Sequence, residues 1–211
     1  MFKKKIQNVR YRKLVIATVL RWLSYGGIKI VPYNLYMESN NYLNSANFME
    51  RFKKICELII ISADDIDSLA EIDCLAEFKK KLLTLLDGGN SCMYVLSRGQ
   101  VIGYCWFNLK YCAYDYFSFT LQDDEAYAFN FWTSKNSRWV AMFLAISVYD
   151  HLRSLDKNRI YSVTEIFNTP AMNLRKKLHS RLCRRYVYIN LFNLFRKNIE
   201  LERPGDDDVH F

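Results

Sequence analysis

The sequence has no CxxC pair and no cluster of cysteines with histidines that would make a metal-ligand set. Its six cysteines, Cys56, Cys74, Cys92, Cys105, Cys112 and Cys183, are scattered along the chain. That pattern predicts reduced core thiols in a cytosolic protein and no metal site. No apolar run reaches membrane-spanning length. Leu14 to Leu23 is about half of what a bilayer requires, Arg21 interrupts it, and no A-x-A-like cleavage site follows, so neither a spanning helix nor a signal peptide is expected. No acid precedes Glu38, whereas Lys3, Lys4, Lys5, Arg10, Arg12, Lys13, Arg21 and Lys29 all do. Much of the net charge of +8 is therefore gathered in an N-terminal positive patch. There is no internal repeat and no linker that would divide 211 residues, and a hydrophobic fraction of 51% is ample for one core.

What is present is organised around the stretch from Glu125 to Ser180. Ala126 to Thr133 is aromatic and small-apolar over a strand's length, and a largely buried strand is predicted. After the polar loop 134–138, the residues Val140, Leu144, Val148, Leu152 and Leu155 keep helical spacing, which suits a helix packed on a sheet. Arg159 to Thr164 reads as a second strand, and a short helix follows, with Pro170 suited to its first turn. Strand, crossover helix and parallel strand make a right-handed unit.

Elsewhere, Ile6 to Ser24 reads as a basic, imperfectly amphipathic helix ended by Gly26-Gly27. It either docks on its own domain or attaches to an anionic membrane surface or a partner. Ile28 to Met37 is a strand placed near an edge or at a bulge by Pro32. Phe48, Phe52, Ile55 and Ile59 form a helical stripe, and a second helix starts at a capping box of Ser68 and Glu71 and closes at Gly88-Gly89. Cys92 to Leu96 and Val101 to Leu109 form a hairpin about the turn 97–100. Tyr111 to Leu121 is an aromatic loop or irregular strand, Arg175 to Arg185 is densely basic, and Tyr186 to Phe195 is a last strand.

In this order the residues resemble a GNAT-type N-acetyltransferase, in particular the bacterial members that occur with cell-surface polysaccharide genes. The resemblance rests on Gly88 to Val95, Gln100 to Tyr104, Asn136 to Ala141, Asn168-Thr169-Pro170-Ala171 and Lys176 to Ser180, and covers most of the chain. It implies a three-layer α/β/α fold with a mixed, centrally splayed sheet. It also implies an acyltransferase domain over 28–203, which the residues themselves flank with a basic helix over 1–27 and an acidic, frayed tail over 204–211. The implied co-substrate is acetyl-coenzyme A or another acyl-coenzyme A, with Lys135, Asn136, Ser137, Arg138, Trp139, Val140 and Ala141 at its pyrophosphate and Asn168 and Ala171 beside its pantetheine arm.

The family's Arg-Gly-Lys-Gly loop is altered, with Trp139 where a glycine usually stands. The tyrosine that often serves as general acid falls at Arg175, a guanidinium that does not give up its proton, and the closing Gly-Phe falls at His179-Ser180. Amine acylation needs a base and a proton donor near the leaving thiolate. Glu125, at the start of the central strand, is the candidate base. Tyr127, Tyr186 and Tyr188 are candidate hydroxyls, of which Tyr186 is assigned the catalytic role. The expected activity is direct acyl transfer to a small-molecule amine, an amino sugar of a surface-glycan precursor, in the cytoplasm or at the membrane periphery. A fold member that binds without turnover is the alternative. A nucleic-acid or anionic-surface binder using the basic N-terminal arm and Arg175 to Arg185 is a weaker one, and no specific nucleic acid is expected.

Overall fold

The computed structural model describes residues 2–38, 45–62, 79–134 and 138–201. The chain opens with a long helix, α1 (Phe2–Tyr25), followed by β1 (Ile28–Met37), α2 (Ser45–Lys53) and β2 (Glu57–Ile61). Then come α3 (Lys79–Asp87), the hairpin β3 (Ser91–Ser97) and β4 (Gln100–Asn108), and the short hairpin β5 (Tyr111–Tyr114) and β6 (Phe117–Thr120). The central unit is β7 (Glu125–Thr133), α4 (Arg138–Ser154) and β8 (Arg159–Glu165), and the chain continues through α5 (Thr169–Lys177), β9 (Arg181–Leu191) and β10 (Phe195–Glu200).

Eight strands form one sheet in the order β10-β9-β1-β8-β7-β4-β3-β2. Every ladder is antiparallel except β7 with β8. Strand alternation sends Met93, Val95, Cys105, Phe107, Ala126 and Ala128 to one face, where Phe143, Leu144, Val148 and Leu152 of α4 cover them. Met49 of α2 and Leu178 after α5 join that core. The opposite face carries Cys92, Tyr94 and Trp106 under Leu86 of α3, and Tyr127 under Cys112 of the β5–β6 hairpin. Helices thus cover both faces of a mixed sheet, the three-layer α/β/α arrangement expected from the sequence.

The β3–β4 turn is a two-residue loop whose Arg98 and Gly99 both have positive φ, 52° and 73°, the type I′ geometry that matches strand twist. Four readings are corrected. Pro32 does not lie at a sheet edge, because β1 runs between β8 and β9, although β1 does carry a bulge against β9, between Leu35 and Tyr36. The Pro32 carbonyl accepts from Ile166 N just past the end of β8, so its ring nitrogen faces that same side, where the β8 ladder has already ended at Tyr33–Glu165. Ile59 belongs to strand β2, paired with Tyr94, and not to the helical stripe of Phe48 and Phe52. The last strand is a hairpin: β9 turns through Phe192 and Asn193, at φ of 53° and 61°, into β10. The aromatic segment 111–121 is also a hairpin, β5 with β6. The capping box of Ser68 and Glu71 and the tail 204–211 lie outside the described residues.

Candidate functional site

The parallel pair that anchors the fold is short. β7 and β8 are in register only from Glu125–Arg159 to Tyr127–Tyr161, while β7 runs on to Thr133 and β8 to Glu165. From Ala128 onward the two strands part. The cause is local to β7: Asn130 sits at φ 46°, and the β4 register slips between Tyr104 and Trp106, so that Asn130 and Phe131 together face Cys105. Such a bulge bends one strand away from its neighbour.

The parted ends lead to a cleft of about 740 Å³. Thr133 and Ser134 at the end of β7 form one wall, Ala141 and Met142 in the first turns of α4 a second, and α5 from Thr169 to Lys177 the third. Gly103 of β4 lets α4 come close, since a Cβ there would meet Val140 Cγ1 at 3.2 Å. Charge at the cleft has one sign. Lys176 and Lys177 line it, no acid does among the described residues, and neither α4 nor α5 carries an acid in its first turn. A helix start adds a partial positive charge and unpaired N–H groups.

Of the residues expected at a cofactor, Ala141 lines this cleft. Val140 is buried in the core beneath it. Trp139 is 59% exposed, its ring 6.0 Å from that of Phe48, and it is not part of the cleft wall. Arg138 is the first residue of α4, and Lys135, Asn136 and Ser137 lie outside the described residues. Asn168 caps α5, its side-chain oxygen accepting from Ala171 N at 3.2 Å, which commits that oxygen to the helix start.

Glu125 stands at the paired end of β7, away from the cleft. Its carboxylate accepts from Gln122 N at 2.8 Å and from the Tyr161 hydroxyl at 3.0 Å, and pairs with Arg159 at 3.0 Å. Tyr186 lies on β9, stacked on Tyr33 at 5.2 Å, beside a second cavity described below. Tyr127 is buried against Phe129, and Tyr188 stacks on Tyr116 at 4.2 Å. His151 of α4 packs edge-on to Phe107, and burial lowers its pKa.

Arg175, which stands where the sequence resemblance would place a tyrosine, has a guanidinium that is a core group. It donates from one nitrogen to Glu38 at 2.6 Å and to the Tyr149 hydroxyl at 2.6 Å. Glu38 also accepts from Ser162 and Ser180, each at 2.5 Å. Burial alone would pull the guanidinium pKa down, but Glu38 and Tyr149 outweigh it and the net direction is up. Burial likewise pushes the Tyr149 phenol well up, opposed by Arg175. The group is a buried, charge-assisted network in which Arg175 Nε alone has no hydrogen-bond partner among the described residues.

The sequence reading missed Thr133, Met142, Asn173 and Lys177 as cleft residues. The usable signal was the spacing Thr169, Asn173, Lys176, one polar stripe along a short helix that begins at a proline turn.

No protein-family model matches the chain, and no curated protein does. Solved structures do. An acetyltransferase of the GNAT family from Colwellia psychrerythraea matches with a TM-score of 0.51 at 11% identity, over 78% of this chain and 57% of its own. A tandem GNAT protein from the clavulanic acid biosynthesis pathway matches with a TM-score of 0.50 at 13% identity, over 84% of this chain and 55% of its own. A conserved protein of unknown function from Staphylococcus epidermidis gives 0.49 at 13% identity, over 82% of this chain and 66% of its own. The chain thus spans little more than half the length of the two GNAT structures. Those two likenesses show the GNAT fold.

Proposed function

We propose that this protein binds an acyl-coenzyme A in the cleft between α4 and α5 and passes the acyl group to an amine by direct attack in a ternary complex. The observation that carries the reading is the parting of β7 from β8 beside an acid-free, lysine-edged cleft of about 740 Å³ at the start of α4. That volume is within the usual range for cofactor sites. Ala141 and Thr133 are small enough to leave room for a narrow chain, and Lys177 and the α4 amides suit phosphate oxygens. The reaction would form a C–N bond at the thioester carbonyl carbon and break its C–S bond, leaving a thiolate to be protonated.

The acceptor we assign, an amino sugar of a surface-glycan precursor, is supported by the order of motifs shared with the polysaccharide-linked members. A cytoplasmic site of action is supported by Cys56, Cys92, Cys105, Cys112 and Cys183, all of them free. Binding without turnover is a second reading. It is favoured by the cleft wall itself, which has no carboxylate, histidine, cysteine or tyrosine among the described residues, and by Arg175 being locked to Glu38.

One experiment separates the two. Acetyl-coenzyme A at about 100 times its Kd should stabilise the fold by about 2.7 kcal/mol, read as a rise in Tm. Ala141→Trp, which fills the cleft without touching the core, should remove the rise while leaving the circular dichroism unchanged. No rise in the unaltered protein would sink the assignment of the cofactor. A rise with no acylation across a panel of amino sugars would move the protein to the second reading.

We assign α1 to an anionic membrane surface. Among the described residues, no helix is long and apolar enough to cross a membrane. Yet Leu14, Ile16, Val19 and Trp22 are each more than half exposed on a helix whose first half is rich in lysine and arginine. Vesicles containing phosphatidylserine should carry the protein in a flotation assay, and neutral phosphatidylcholine vesicles should not. Trp22→Glu should weaken the flotation; equal flotation with both lipids would refute the assignment.

A further inference from the structure

A second cavity, of about 420 Å³, lies on the other flank of α5, between that helix and strands β1 and β9. It is far larger than the roughly 30 Å³ share of one water. Its floor holds Asn34, which is 6% exposed and whose side-chain oxygen has no hydrogen-bond partner among the described residues. The amide nitrogen of Asn34 donates to the Tyr36 hydroxyl at 2.9 Å, and that hydroxyl donates to Met172 Sδ at 3.3 Å. Turning the amide over would satisfy the oxygen with Tyr36 and leave the nitrogen unmet. In either orientation one buried polar atom of Asn34 is left unsatisfied at the cavity floor. Buried polar groups are paired in the great majority of cases, so an exception needs a cause.

The charge around it supplies one. Asn34 and Arg185 are direct cross-strand partners in the β1–β9 ladder, so their side chains leave the same face of the sheet. Lys176 lines the cavity as well, and none of its described lining residues is acidic. The charges also reach the floor: burial raises the pKa of the Tyr36 phenol, the bond from Asn34 and the charges of Arg175 and Arg185 oppose the rise, and Glu38 adds to it more weakly. Ile166, Met172 and Leu201 make the remaining wall apolar.

We propose that this cavity binds a small organic anion. Its carboxylate or phosphate would pair with Arg185 in the field of Lys176, a hydroxyl or amide close to that charge would complete the hydrogen bonding of Asn34, and an apolar body would rest on Met172 and Leu201. The site is separate from the coenzyme cleft, although Thr169, Asn173 and Lys176 of α5 border both. It does not depend on the coenzyme being bound.

The test is a titration of the full chain followed by amide and side-chain NMR, with three probes. N-acetyl-L-leucine supplies a carboxylate next to an amide, glucose 1-phosphate supplies a phosphate next to hydroxyls, and N-acetyl-L-leucinamide has the first probe's shape without charge. At least one anion is expected to shift the Asn34 side-chain signals, and which of the two does so identifies the anion class. Arg185→Gln, at an exposed position, should weaken that binding about tenfold. Asn34→Leu should abolish it in a chain that still folds. The proposal is overturned if neither anion perturbs Asn34, if the uncharged amide binds as tightly as the acid, or if Arg185→Gln changes nothing.

Discussion

Arg175→Met is expected to cost about 3–5 kcal/mol of stability, because it strands a buried carboxylate. Glu38 and Arg175 are almost wholly inside the protein and lie 137 residues apart in the chain. With the guanidinium gone, Glu38 keeps two serine donors but loses its counter-charge, and the Tyr149 hydroxyl loses its donor. For a chain of this size the loss should appear as a Tm lower by roughly 6–20 °C. The double change Glu38→Leu with Arg175→Met removes both charges, and most of the loss should be recovered, since two apolar residues can replace a buried pair at little net cost. A denaturation cycle over the four proteins reads the coupling directly. Should Arg175→Met leave the Tm unmoved while lowering acyl transfer, Arg175 would be part of the chemistry and not of the core.

The second large effect is at Tyr33. This residue is fully buried, and its ring meets Tyr114 at 5.1 Å, Phe117 at 5.7 Å and Tyr186 at 5.2 Å. The β5–β6 hairpin pairs only with itself among the described residues and meets the eight-stranded sheet through such side chains, while the bond from Leu121 N to Lys110 O closes the hairpin's own base. Tyr33→Ala should therefore cost about 3–5 kcal/mol, in the manner of other large aromatic truncations. It should also speed amide exchange across 111–120 more than elsewhere. Tyr33→Phe keeps the ring and removes only the bond from the hydroxyl to Asn198 Oδ1, so about 1 kcal/mol is expected. Equal losses from the two substitutions would show that the hydroxyl, and not the stacking, holds the hairpin.

The parts of this fold that could be read from the sequence are those whose signal is local. Val140, Leu144, Val148 and Leu152 repeat at helical spacing and are buried on α4, whereas Leu155, read as the fifth member of that stripe, lies past the helix end and is exposed. The strand 126–133 and the turn at Arg98-Gly99 announce themselves over a handful of residues. Pro32 misled because the cost of a proline in a sheet depends on which neighbour its nitrogen faces, and that is settled by where β8 stops. Glu38 gave no sign of its role, since its partners Ser162, Arg175 and Ser180 are all distant in sequence. The second cavity was invisible for the same reason: only the β1–β9 register brings Asn34 opposite Arg185. Glu125 was singled out because a carboxylate opens the central strand. Its neighbour across the parallel ladder, Arg159, explains its burial without any substrate.

The threading of β1 between β8 and β9 also bears on how the chain is made. A ribosome delivers β1 well before β8 and β9, the strands on its two sides. Until β8 emerges β1 has neither hydrogen-bonding neighbour, and an unpaired strand of that kind is open to wrong partners. Nascent chains arrested before Arg159 should accordingly depend on holding chaperones, and those arrested after Glu200 should not.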